Sequence, residues 1–92
     1  MSFLYVIAAK DNPTAVKLGF SATPDKRVKQ LQTGARETLF LYHVEEVADD
    51  RVKVAEKALH RLLGHKRLAG EWFDLEVEEA IAEVMFIRMT QD

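Results

Sequence analysis

Phe3-Leu4-Tyr5-Val6-Ile7-Ala8-Ala9, then Lys10-Asp11-Asn12-Pro13-Thr14, then Ala15-Val16-Lys17-Leu18-Gly19-Phe20 decide how this chain folds. The first run is apolar on both faces and rich in strand-favouring residues, the pattern of a strand covered on both sides. The middle run is turn chemistry, with Asp, Asn and Pro side by side. The third run alternates, with Val16, Leu18 and Phe20 on one face and Lys17 and Gly19 on the other. A hairpin is the simplest reading. Gly19 stands out inside it, because glycine weakens a strand unless a ligand, a neighbouring element or a bulge needs the space.

Downstream, Thr23-Pro24-Asp25 reads as a helix start, with Thr23 as N-cap and Pro24 at the first helical position. That helix runs to about Thr33, with Val28 and Leu31 inward and Gly34 as C-cap. Thr38 to Val44 reads as a third strand. Asp49 or Asp50 caps a second helix through about Leu63, with Val52, Ala55 and Leu59 at helical spacing. A last helix spans Glu76 to Arg88, with Val77, Ala80, Ile81 and Val84 inward. The order β-β-α-β-α-α predicts an α+β fold with a small three-stranded antiparallel sheet flanked by helices. At 92 residues the chain, 1–92, is expected to be one domain.

The net charge is −2, from 13 Lys and Arg against 15 Asp and Glu. On its own this argues against a nucleic-acid binder. The charge is unevenly spread. Residues 71–92 carry one base, Arg88, against seven acids, for −6, which leaves +4 on residues 1–70. A basic body followed by an acidic helix keeps a polyanion partner open. That helix is expected to sit away from any phosphate-binding face. The absence of cysteine excludes disulfides, thiolate metal sites and cysteine nucleophiles. His60 and His65 are five apart, which does not suit a zinc site on one helix face. No apolar run approaches the roughly 20 residues of a membrane span. The start, Met1 to Tyr5, has no basic region of the kind that opens a secretory signal, so the expected compartment is the cytoplasm.

The polar residues that interrupt this pattern are the candidates for chemistry. Tyr5 is either a strand aromatic with its hydroxyl at the surface or a functional phenol. Lys17 is either solvated or a phosphate contact. Arg27 borders the inward stripe of the first helix, where its forked donors could meet a phosphate. Glu56 is the only acid in a second helix that also carries Arg51, Lys53, Lys57 and Arg61. It either pairs with Lys53 or His60 one turn away or holds a divalent cation. Gly70-Glu71-Trp72-Phe73 reads as an aromatic pair that closes the core.

Taken together, these residues resemble the GIY-YIG nuclease superfamily, and within it the small T5orf172- or Mug113-type branch. That superfamily carries a G-I-Y and Y-I-G hairpin, an arginine eight residues after the second glycine, and a helical glutamate downstream. Here Phe3-Leu4-Tyr5-Val6-Ile7 and Lys17-Leu18-Gly19-Phe20-Ser21 stand in the hairpin, and Arg27 is eight residues after Gly19. The branch's four short motifs stand at Lys17 to Ser21, Arg27 to Thr33, Glu56 to His60 and Gly70 to Phe73. Lys17 replaces the first tyrosine of Y-I-G, and the late asparagine of many nuclease members has no counterpart.

The resemblance implies a metal-dependent endonuclease acting on nucleic acid, expected to be DNA. It implies Tyr5, Lys17, Arg27 and Glu56 as catalytic residues. Glu56 would hold one Mg²⁺ or Mn²⁺, Arg27 would stabilise the phosphate, and Tyr5 or Lys17 would activate water. Gly19, Ser21 and His60 would support the site, and Lys26 and Lys29 would contact nucleic acid. A cation near Tyr5 is expected to favour its ionised form. A partner protein or a second copy would supply sequence specificity. The alternatives are a non-catalytic nucleic-acid-binding module of the same fold and a protein-interaction domain.

Overall fold

The quoted hairpin forms in full. In the computed structural model, which describes residues 1–90, strand β1 (Ser2–Ala9) lies in the interior of a sheet. Leu4 to Ala8 are all buried, as an apolar run on both faces requires. Asn12 takes a left-handed conformation (φ 50°) in the turn, and the chain returns as β2 (Val16–Ser21). The β1–β2 register is regular and sets Tyr5 opposite Gly19 and Ile7 opposite Lys17, so Gly19 does not mark a bulge.

On its other side β1 pairs with β3 (Leu39–Val47), which extends past Val44 through Glu45 and Glu46. The pairing shifts between Val6 and Ile7, leaving Tyr42 without an opposite residue. Its hydroxyl donates to the Ala9 and Lys10 carbonyls at 2.9 and 2.8 Å, and the residue packs against the core.

The sheet has five strands, not three. Beyond β2 lie β5 (Trp72–Phe73) and β4 (Arg67–Ala69), giving the order β3-β1-β2-β5-β4 with every neighbouring pair antiparallel. The fold remains α+β, but the smaller sheet is corrected. Strands of three and two residues are too short to show an alternation, and Arg67, Leu68 and Ala69 are all exposed. A tight turn joins these two strands, with Gly70 at φ 57°, a conformation that favours glycine. Phe73 is fully buried and does close the core, but it does so as a strand residue opposite Val16.

The pleat sorts the two faces. Leu4, Val6, Ala8, Val16, Leu18 and Phe73 form one core with Val52, Ala55 and Leu59 of α2 (Val52–Leu62). Val77, Ala80, Val84 and Ile87 of α3 (Val77–Thr90) complete it. Tyr5, Ile7, Lys17 and Gly19 alternate to the opposite face. There α1 (Pro24–Gln32) packs on β3, β1 and β2 without burying any residue completely. Val28 and Leu31 are only half-buried.

Thr23 and Pro24 open α1 and Thr33 closes it as expected, but the capping interactions differ. Thr23 makes no side-chain cap, and its N–H instead donates to the Ser21 hydroxyl at 2.9 Å. Gly34 has no left-handed φ, and α1 ends at Thr33 in right-handed helical geometry. Neither Asp49 nor Asp50 caps α2, which is preceded by Arg51. The Asp49 carboxylate is turned to the other end of the chain, where it accepts from the Ser2 hydroxyl at 2.7 Å and faces the terminal ammonium at 3.6 Å. These two donors hold its carboxyl below the usual range. No helix among the described residues is long and apolar enough to cross a membrane.

Candidate functional site

Tyr5 sits where a strand aromatic would ordinarily meet solvent on one edge, yet it is 1% exposed. Its ring lies across Gly19. A Cβ built on Gly19 would stand 2.5 Å from the Tyr5 hydroxyl oxygen, 2.8 Å from Cζ and 2.7 Å from Glu71 Oε1. These distances are well inside van der Waals contact. Gly19 is therefore the floor on which a phenol and a carboxylate meet.

Glu71 occupies the β4–β5 turn, directly after Gly70. Its carbonyl accepts from the Leu18 N–H at 2.9 Å, which extends the β2–β5 pairing and anchors the residue. Its Oε1 accepts from the Tyr5 hydroxyl at 3.4 Å and faces Lys17 Nζ, also at 3.4 Å. The Lys17 side chain is only 12% exposed, and its ammonium stands 5.6 Å from the centre of the Trp72 ring. One carboxylate oxygen thus serves both polar residues of the hairpin.

Glu56 approaches from α2. Beyond the two residues of β5 the edge of β2 is open, and Glu56 faces Glu71 there; Lys53 and His60 are not its partners. Burial, a hydrogen bond with Glu71 and the Glu71 charge push the Glu56 carboxyl up to about 7, against the opposing pull of Arg67 and Lys17. Its Oε2 is buried without any hydrogen-bond partner. His60, one turn along the helix, closes the same edge. Its Nε2 lies 2.9 Å from the Leu18 carbonyl, and only a protonated Nε2 can donate to a carbonyl. The ring also packs on Phe73, with centroids 5.1 Å apart.

Arg27 comes from α1, on the face that carries Tyr5. Its guanidinium lowers the phenol's pKa, the direction expected of a nearby cation. Burial is the larger effect, and the charges of Glu71 and Glu56 add to it, so the phenol is raised overall. Arg27 thus favours phenolate as expected, but burial and the two carboxylates outweigh it. The Ser21 hydroxyl accepts from the Thr23 N–H and holds the start of α1. Lys26 and Lys29 are exposed and share one face of α1, three residues apart. Lys26 borders a separate apolar hollow of about 430 Å³ lined by Phe3, Pro24, Leu41 and Val44.

Tyr5, Lys17, Arg27 and Glu56 thus meet around Gly19. Two further residues join them that the sequence reading had not singled out, Glu71 in the turn and Arg67 on β4. Glu71 had a visible signal, a carboxylate directly after a turn glycine, but the adjacent aromatic pair drew a structural explanation for the whole segment. The charges acting on Tyr5 come from Arg27, Glu71 and Glu56, those acting on Glu56 come from Glu71, Arg67 and Lys17, and none comes from α3. The acidic helix packs with its apolar side on the opposite face of the sheet.

For a metal, the donor set is oxygen alone, which suits Mg²⁺ or Mn²⁺. A buried, unpartnered Glu56 Oε2 beside a second carboxylate fits a divalent cation, because the cation supplies the missing partner and offsets the like charges. Among the described residues no group of three or more His, Asp or Glu side chains converges as a metal cage. Water and substrate would therefore complete the shell, as is usual for Mg²⁺.

A family model, the T5orf172 domain, matches residues 2–88. No curated protein matches, and no solved structure matches.

Proposed function

We propose a function from one premise: the chain belongs to the T5orf172 domain family, which is associated with a GIY-YIG-like nuclease fold. On that premise the protein is a metal-dependent endonuclease that hydrolyses phosphodiester bonds of nucleic acid, DNA in the first instance. The observation that carries this reading is the convergence around Gly19 of a buried phenol, a lysine and two carboxylates, one with a buried oxygen lacking a donor.

Glu56 is the residue that would hold Mg²⁺ or Mn²⁺, with Glu71 facing it. When bound, the cation supplies charge to polarise the scissile phosphate. Arg27 adds fixed positive charge where the transition state gains negative charge. Tyr5 and Lys17 are the two groups for the attacking water. The raised phenol stands as a neutral O–H, so its oxygen can accept from water while its proton is donated to Glu71. His60 holds the Leu18 carbonyl, which keeps the open edge of β2 in place beneath Gly19. Lys26 and Lys29 extend the positive surface of α1 toward the polyanion.

A second reading keeps binding without cleavage. The Lys17–Glu71 ion pair favours it, because a neutralised lysine contributes less to a phosphate. Labelled single- and double-stranded DNA and RNA, incubated with Mg²⁺ or Mn²⁺, separate the two. Cleavage that is lost in EDTA supports the nuclease. Salt-sensitive binding with no cleavage in either metal replaces it with the binding module.

A further inference from the structure

Besides facing Glu56, the Glu71 side chain meets both Tyr5 and Lys17. We propose that Glu71 is a positioning residue, whose Oε1 tethers the Lys17 ammonium and the Tyr5 hydroxyl to one point above Gly19. The inference deepens the nuclease reading, on which its catalytic consequence rests.

Three observations place it there. First, the backbone around Glu71 is fixed at both ends. Gly70 takes φ 57° before it, Trp72 pairs with Lys17 after it, and its own carbonyl accepts from Leu18. A side chain leaving such a turn has little freedom to wander. Second, Lys17 Nζ and the Tyr5 hydroxyl each lie 3.4 Å from the same oxygen, although they come from different strands. Third, the space for this meeting exists only because Gly19 lacks a Cβ, which would stand 2.7 Å from Glu71 Oε1. The glycine, the turn and the carboxylate form one device.

The physical consequence concerns Lys17. A free lysine samples many side-chain positions. A lysine tethered at 12% exposure presents its charge at one place. A water entering beside Tyr5 then meets the Lys17 donor and the phenol oxygen as acceptor already converged, and holding groups in place in advance raises turnover.

The test uses Glu71→Gln, which keeps the shape and the backbone bonds but removes the charge. Lys17→Met probes the tether from its other end. The first readout needs no activity. The variants are treated with an amine-acylating reagent, and labelling is followed residue by residue by mass spectrometry. Lys17 labels several-fold faster in Glu71→Gln, and Lys29 does not change. The second readout is cleavage of labelled DNA with Mn²⁺. In Glu71→Gln kcat falls about tenfold or more while KM changes less than about twofold. Glu71→Asp, which retains the carboxylate on a shorter arm, gives intermediate values in both readouts. Lys17→Met loses at least that factor in kcat, and adding Glu71→Gln to it costs less than Glu71→Gln does in the parent. Unchanged Lys17 labelling in Glu71→Gln overturns the assignment whatever the turnover. Faster labelling with an unchanged kcat in an active parent overturns it as well. A parent that never cleaves overturns the nuclease reading instead, and the labelling then decides the tether by itself.

Discussion

Replacing Glu56 by glutamine is expected to make the protein more stable above neutral pH, although it removes the carboxylate on which the proposed chemistry depends. The Glu56 carboxyl is pushed up to about 7 from its ordinary 4.5, by burial first and then by Glu71. The folded protein therefore keeps a proton that the unfolded chain gives up. The stability linked to this group is fully present below about 4.5, declines as pH rises from there to about 7, and stays lost above it. The full difference corresponds to at most about 3 kcal/mol. The side chain is partly open to water, and screening trims the figure to roughly 1–2 kcal/mol. Glutamine keeps the shape and cannot ionise. In urea denaturation with EDTA, parent and Glu56→Gln should agree near pH 4, where Glu56 is protonated in the folded protein. At pH 8 the variant should be more stable by about 1–2 kcal/mol, or roughly 5–10 °C in Tm for a domain of this size. An equal difference at both pH values, or a variant less stable at pH 8, would refute the reasoning.

Three other perturbations test separate parts of the account. Gly19→Ala forces a Cβ to within 2.5 Å of the Tyr5 hydroxyl, so overpacking of about 1–3 kcal/mol should outweigh the ~0.5–1 kcal/mol an alanine gains in a strand. Its Tm should fall, and a Tm at or above the parent's would show that the glycine floor is dispensable. His60→Ala removes the donor to the Leu18 carbonyl and the packing on Phe73, with an expected loss of about 2–3 kcal/mol in chemical denaturation. A loss below about 0.5 kcal/mol would leave the open edge of β2 without its proposed support. Arg27→Ala should lower kcat more than it raises KM for DNA, and a change in KM alone would reduce Arg27 to a phosphate dock.

The hairpin was readable because its pattern is local. Phe3 to Ala9 is apolar on both faces, and only a strand with neighbours on both sides and cover on both faces buries it. The helices and their bounds were readable to within a residue or two, but their side-chain caps were not. Asp49 turned to the distant Ser2 and the terminal ammonium, a partner no local pattern shows, and at α1 the Thr23 N–H went to the Ser21 hydroxyl two residues before it. The strands Arg67–Ala69 and Trp72–Phe73 escaped because their pairing is set by Val16, Lys17 and the Gly70 turn, not by a period of their own. The same blind spot hid Glu71. Its neighbours in the site, Tyr5 and Lys17, are more than fifty residues away in sequence, and only the fifth strand carries it to them. The environment of Tyr5 was equally out of reach. Arg27 was visible as a cation to favour phenolate, but the burial and the two carboxylates that outweigh it appear only in three dimensions.

The central claim is that Glu56 holds a divalent cation for phosphodiester cleavage. It is tested most directly by the cleavage rate of labelled DNA against Mn²⁺ concentration for the parent and Glu56→Ala, each checked for folding by circular dichroism. The account predicts a saturable, EDTA-sensitive rate in the parent and none above background in a folded Glu56→Ala. A folded Glu56→Ala that cuts at the parent rate with the same Mn²⁺ dependence would contradict it.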